Sequence, residues 1–365
     1  YYCRAKKFIF NREVILYDKY KNTSTVFSFS LDDYKSEIEE VVINYPMKEM
    51  PHSFFKDLYN MGKVTLPSTL TKINSSAFEN TGIKFISITN GITDIESMVF
   101  RDCSQLKTLV LEDGPEPLSI KVSMLGLFSH SGPFYDSPLE TVHIGRELIY
   151  DCNNDLDSWS EGILGISNHT SLKKVTIGKY VKTLSTCFFA NNQALPAITI
   201  PGNVTSIGND AFYNCIALKD LVFEKSTENE ALDLAIDTYS LPDEGLFAWC
   251  KSLSNLTLAR NLTYPDDYPP FKSDWKITID NITIKDGCSV LGKKLFYDNL
   301  ESNCTITCEV STPPSIEDNT FNWNNINIFR SDNYINCFIF FITIINTIKC
   351  LIIKTNFIII YHSSR

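Results

Sequence analysis

Basic charge is scarce in this sequence: 33 Lys and Arg stand against 43 Asp and Glu, for a net charge of -10 at pH 7. That balance argues against nucleic acid as a partner, because phosphate binding takes clustered Lys and Arg. Cysteine is thin as well. Eleven thiols over 365 residues fall far below a disulfide scaffold, and the odd number leaves at least one unpaired. The five histidines (His52, His130, His143, His169 and His362) hold unrelated positions. The sequence has no glycine-rich phosphate loop, nucleophile elbow or metal-protease pattern, so no catalytic residue, metal or cofactor is expected. Ser171-Leu-Lys-Lys174 matches a short Ser/Lys pattern but falls inside a repeat strand. Asp151, Asn153, Asp155 and Asp157 alternate like the opening of a calcium loop. Leu156, however, stands where that loop needs Gly and Gly162 where it needs Glu, so a solvated loop is expected. The chain starts at Tyr1 without a basic head, apolar stretch and small-residue cleavage site, and its natural start is expected upstream.

What the sequence does have is periodicity. Hydrophobic residues at 44% against 21% charged place it among folded chains, and its length calls for several domains or a repeat array. From Leu195 the apolar positions run Ile198, Ile200, Val204, Ile207 and Phe212, offsets of +3, +5, +9, +12 and +17. The same offsets recur from Leu172, Ile38, Met61 and Ile83, and from Ile279 with Cys288 at +9. Half-copies begin at Leu106, Leu139, Leu218 and Leu253 and then diverge. Together they make about eleven coils of about 23 residues between 38 and 323.

The offsets have direct physical readings. Positions +3 and +5 alternate as in a strand, with the residue between them facing outward. Positions +9 and +12 suit a second extended or turn-like side, and the aromatic at +17 begins the return. Burying six apolar side chains falls short of the entropy lost in ordering one coil, so stacked neighbours must supply the rest. The fold expected is a repeat solenoid of strand and coil with little helix.

The run Ile198-Thr-Ile-Pro-Gly-Asn-Val-Thr-Ser-Ile-Gly-Asn-Asp-Ala-Phe-Tyr-Asn-Cys215 resembles the repeat of BspA-type leucine-rich-repeat proteins, most of them bacterial surface proteins. Cys304-Thr-Ile-Thr-Cys308-Glu-Val-Ser-Thr-Pro-Pro-Ser-Ile316, with Asn319-Thr-Phe321, is similar to that family's last coil. The resemblance implies a right-handed solenoid with one parallel β-sheet. It also implies an extracellular or cell-surface binder of protein or glycan, in some members an adhesin for host matrix. It brings no catalytic residues.

A longer repeat overlies the short one. Leu109-Val-Leu-Glu-Asp-Gly leads through Leu118-Ser-Ile-Lys-Val122 to Phe134 and Arg146-Glu-Leu-Ile-Tyr150. Leu221-Val-Phe-Glu-Lys-Ser leads through Leu232-Asp-Leu-Ala-Ile236 to Phe247 and Arg260-Asn-Leu-Thr-Tyr264. Both inserts contain an alternating stretch that reads as an extra strand. Departures from the short period fall near 112–134, 145–165, 224–246 and 259–275. The inserts are read either as surface elaboration or as a paired binding feature. Arg146, Tyr150, Arg260 and Tyr264 are correspondingly either anchors for the inserts or part of a recognition surface, where Tyr and Arg are enriched.

The outward +4 position forms a column: Val42, Thr65, Ser87, Val110, His143, Thr176, Thr199, Val222, Thr257 and Thr283. Parallel ladders favour β-branched residues on steric grounds alone, and the same column is the candidate ligand-facing surface. Cys103, Cys215 and Cys250 each follow a +17 aromatic by three residues, where His169 and Asn192 stand in other coils, and are expected as buried, reduced thiols. A Cys215–Cys250 disulfide is the alternative. Cys304 and Cys308 share a strand face without a second pair to make a zinc site.

Residues 1–37 leave the template, although Val-Phe-Ser-Phe-Ser at 26–30 alternates like a strand. They form either a cap or the end of a preceding domain. Beyond Trp323 the composition shifts to Ile, Asn, Phe, Lys and Thr. The stretch 335–361 is long enough to span a bilayer, though Asn346, Lys349, Lys354 and Asn356 interrupt it. Three readings stand for 324–365: an out-of-frame gene end, a membrane anchor, which would be the only membrane contact, or a strand-forming cap. The function expected is non-enzymatic surface recognition, the alternative a structural spacer or intracellular scaffold, and a hydrolase in the inserts the least supported.

Overall fold

The computed structural model describes residues 6–11, 35–121, 123–124, 130–151, 171–234, 246–272, 277–296, 300–312, 314–320 and 328–330. At 123–124, 130–131, 150–151, 300–303 and 328–330 only the backbone is described. Among these residues there is no helix, and nearly every strand pairs in parallel with its counterpart one coil away. The chain is a stack of repeated strand coils.

Each coil has three sides. The first is a strand of about four residues around +3 to +5, such as Ala197–Ile200, paired with Asp220–Phe223 and followed by Asn255–Leu258 and Ile279–Lys285. The second, at +11 and +12, is a two-residue strand such as Glu49–Met50, Lys72–Ile73 and Asp94–Ile95. These pair in parallel too, so a short second ladder joins the sheet expected from the sequence. The third side is a return turn stitched by alternate backbone amides. Ser53, Phe55 and Asp57 donate to Ser75, Ala77 and Glu79 of the next coil, and Cys187, Phe189 and Asn191 do the same to Asn209, Ala211 and Tyr213. This turn needs left-handed backbone at +15 and +19. Asp or Asn fills most of the +19 places, as at Asp57, Asn80, Asp102, Asn191 and Asn214, because a short polar side chain tolerates that region.

All six template positions of the 195–212 coil are at most 2% exposed. The +17 rings form a spine: Phe55, Phe78, Phe100 and Phe134 stack at centroid distances of 5.4, 5.2 and 5.1 Å. Phe189, Phe212, Phe247, Phe271 and Phe296 continue it at 5.4, 5.2, 5.1 and 6.1 Å. At four of the +20 places a small residue ties its coil to the one before. Cys103, Cys215 and Cys250 donate Sγ–H to the carbonyls of Phe78, Phe189 and Phe212, each at 3.1 Å. Ser137 does the same to Phe100 at 2.6 Å. All three thiols are buried and free, and Cys304 and Cys308 are buried as well. Asn192 donates instead to the Phe189 carbonyl of its own coil at 2.8 Å, and His169 lies outside the described residues.

The stretches read as extra strands are corrected by their pairing. Ser119–Ile120 pairs with Asp94–Ile95, and Asp233–Leu234 with Ser206–Ile207, so each is the regular short-ladder strand of its own coil, displaced along the sequence. The inserted residues lie before and after it. Alternation revealed the strand, but only register shows which ladder it joins.

At the ends, Lys7–Phe10 pairs in parallel with Glu40–Ile43, and Ile328–Arg330 with Thr305–Thr307. The alternation at 26–30 and the candidate span at 335–361 lie outside the described residues. Within them, no helix is long and apolar enough to cross a membrane.

Candidate recognition surface

Parallel register turns the +4 positions into a physical column. Val42 pairs with Thr65. Ser87, Val110, His143 and Thr176 follow one another in register, as do Thr199, Val222, Thr257 and Thr283. All ten are exposed or half-buried, whereas their strand neighbours at +3 and +5 are mostly buried. The ladder also adds two residues that the template did not reach, Ile9 beside Val42 and Thr307 beside Thr283. The result is a face in three runs whose side chains stand off parallel-paired strands.

Charge flanks this column. Glu140 sits between Lys107 and Lys173, bonding to both, with Lys173 at 3.0 Å. The Lys107 ammonium and then that of Lys173 hold its carboxyl below the usual carboxylate range. Glu40 is clasped in the same way by Lys63 and Lys7, each at 3.1 Å, and its carboxyl is lowered by Lys63 first and Lys7 second. Both acids are half-buried but their lysines are exposed, so these pairs order the face more than they stabilise it. Sequence reasoning passed over this flank, although Lys107, Glu140 and Lys173 each follow a +0 leucine and their alternating sign could be read there. Phe85 was missed as well; it is 54% exposed on the same face, beside Thr108 of the following coil.

At the centre of the column, His143 Nδ1 lies 2.8 Å from Thr176 Oγ1, and its Nε2 lies 3.4 Å from Asp113 Oδ2. The connectivity is that of a nucleophile, base and orienting acid. Thr176, however, sits mid-strand on an open face, in a strand paired with Thr141–Ile144, and not at a turn or helix start where free amides converge on an oxyanion. The contacts fix the imidazole against the face. Among the described residues, no three His, Cys, Asp or Glu side chains gather into a metal-binding group. Asn153, Asp155 and Asp157 of the alternating run lie outside the described residues, and Asp151 is described by its backbone alone.

Arg146 and Arg260 do not belong to the surface. They are 0% and 2% exposed and correct the reading that placed them in the recognition set. Arg146 donates to the carbonyls of Thr89 at 2.9 Å and Asn90 at 3.1 Å, two coils back. Arg260 donates to Val204, Pro201 and Ile200 at 2.6, 2.7 and 3.2 Å, again two coils back. In each case the intervening coil carries an insert, and the guanidinium reaches past it to satisfy turn carbonyls. Gly145 permits the close approach before Arg146, since a Cβ there would meet Asp113 N at 2.4 Å.

The residue after each arginine points the other way. Glu147 accepts the amides of Lys182 and Thr183 in the following coil at 2.6 and 3.1 Å. Asn261 Oδ1 accepts those of Ser289 and Val290 at 2.8 and 2.9 Å. The short ladder is broken at these two places, after Leu148–Asp151 and after Leu262–Thr263, and the side-chain oxygens span the breaks. Tyr264 is half-buried over Gly292, its hydroxyl donating to the Lys293 carbonyl at 3.0 Å, and burial pushes its pKa well up. The Tyr150 side chain lies outside what is described.

The family model for the BspA type leucine rich repeat region matches in six copies across residues 33–154, 166–299 and 243–363. No curated protein matches. Among solved structures, the chain is similar to a leucine-rich repeat protein from Bacteroides ovatus at 15% identity, covering 82% of each chain with a TM-score of 0.40. It is similar to a leucine rich cell surface protein from Faecalibacterium prausnitzii at 17% identity, covering 90% of this chain and 88% of that one, TM-score 0.33. The pneumococcal vaccine antigen PcpA matches at 15% identity over 77% of this chain and 79% of its own, TM-score 0.28.

Proposed function

The chain belongs to the BspA-type leucine-rich-repeat family, and from that premise we propose that it is a non-enzymatic recognition protein, displayed at the cell surface or secreted, whose +4 column binds a protein or glycan partner. The observation that carries this reading is the outward column laid down in three register-locked runs, Val42 with Thr65, Ser87 to Thr176, and Thr199 to Thr283. Its threonines, His143 and flanking ion pairs offer spaced hydrogen-bonding groups on a backbone that need not reorganise, which lowers the cost of association. Host matrix proteins are the partners to try first.

The test is attachment of the purified chain to immobilised fibronectin, laminin and collagen, with Thr176→Arg plus Thr199→Arg as the variant. Binding to at least one, lost in the variant at unchanged melting temperature, supports the reading. Binding retained in the variant places contact elsewhere. Attachment to none removes the adhesin role for these ligands and leaves the spacer reading, which the side-chain bridges across the short-ladder breaks favour.

A further inference from the structure

The outward column divides by what its polar groups do. From Ser87 to Thr176 they are spent within the chain: Ser87 donates to Glu112 at 3.1 Å, and His143 meets Thr176 and Asp113. In the sheet that runs from Ala197–Ile200 to Ile328–Arg330 they are not. The hydroxyls of Thr257, Thr283 and Thr307 stand in register on successive strands, and none bonds to another group among the described residues.

The +2 positions, two residues back on the same face, carry a second row. Asn255 Nδ2 donates to Asp220 Oδ1 at 2.5 Å, and Asn281 Nδ2 donates to Asn255 Oδ1 at 2.8 Å. Each of these bonds uses one of the two N–H groups on its amide and leaves the other. Asn281 ends the ladder exposed, and Thr305 continues the row on the next strand. The strands from Asp220–Phe223 to Leu300–Glu309 thus offer two parallel rows rich in amides and hydroxyls. Both rows repeat at the strand step of about 4.8 Å. Asp220 is the one charged residue in them, and neither row holds an aromatic residue or an arginine.

Taking the +4 column as a binding surface, we propose that its last run, with the amide row beside it, binds a linear, neutral, β-1,4-linked glycan lying across the strands, one sugar to a coil. Such a chain is an extended ribbon whose sugars succeed one another at nearly the strand step, so equivalent hydroxyls meet equivalent groups on successive coils. Those hydroxyls both donate and accept, as the threonine and asparagine side chains do. A charged partner would give up hydration that these rows cannot replace, whereas a neutral one would not. Protein interfaces centre on aromatic residues and arginine, which these rows lack.

The experiment is calorimetric titration of the full chain with cellohexaose, with cellobiose and maltohexaose alongside. Saturable cellohexaose binding is expected, at least roughly tenfold tighter than cellobiose, which reaches only two coils, or maltohexaose, whose α-linkages coil the chain. Thr257→Val plus Thr283→Val removes two hydroxyls but keeps the β-branched shape, and should weaken binding by roughly tenfold at unchanged melting temperature. Ser87→Arg, in the other run, should leave it untouched. No saturable binding, equal binding of either control, an unaffected valine variant or an equal loss in Ser87→Arg overturns the proposal. Matrix-protein attachment that Thr176→Arg plus Thr199→Arg abolishes would survive any of these results, so failure here and failure of the column as a binding surface are distinguishable.

Discussion

Phe212 shows what a single repeat position contributes. Its ring stacks between Phe189 and Phe247 and is fully buried, so Phe212→Ala leaves a void facing two coils. A loss of ~3–5 kcal/mol is expected, read from urea unfolding; a loss below ~1 kcal/mol would contradict the stack at that point. The thiols at +20 are a second case. Burial pushes Cys103 up to about 11, so little thiolate forms near neutrality, and a thiol reagent should label Cys103, Cys215 and Cys250 only after denaturation. The same shift predicts a pH dependence. Above the ordinary value of 9.0 the unfolded chain loses thiol protons that folded Cys103 and Cys288 keep until about 11. Their contribution is therefore complete below 9.0 and lost as pH rises through 11. Denaturant midpoints measured across that window should fall, and a flat profile would refute the linkage.

At the scale of the element, the side-chain bridge is the unusual part. Glu147→Ala leaves the amides of Lys182 and Thr183 without their acceptor, at an expected cost of ~1–3 kcal/mol, while Glu147→Gln keeps an oxygen in place and should recover most of it. Equal loss in both variants would show that charge, not the acceptor, matters there. The template positions and the +4 column were legible because spacing alone determines which side chains face inward once strands pair in parallel. The parallel run from Arg146 to Arg260 was equally visible, but its role was not. An arginine's burial depends on carbonyls 56 to 60 residues away, and nothing local to Arg260 says that an insert has opened a gap for it to fill. Glu147 was hidden for the same reason, since a ladder break is a property of two coils.

Over the whole molecule, paired strands run from Lys7–Phe10 to Ile328–Arg330. The last of these falls beyond the change of composition at 323, so cutting the chain after Trp323 should bare the Thr305–Thr307 edge and lower the melting temperature. An unchanged melting temperature would mean that this strand adds nothing. A further consequence follows from the paired arginines. Leu118 and Leu232, like Arg146 and Arg260, are 114 residues apart, and each pair has the same surroundings in its own stretch of the stack. If residues 118–231 were removed and Pro117 joined to Leu232, Arg260 would face Thr89 and Asn90 where Arg146 now does, and Phe247 would meet Phe100. The molecule would then be shorter by four coils, roughly 20 Å at about 4.8 Å each. Its reach is thus a quantity that a single deletion or duplication within the gene can change by a whole step, with both joints supplied in advance.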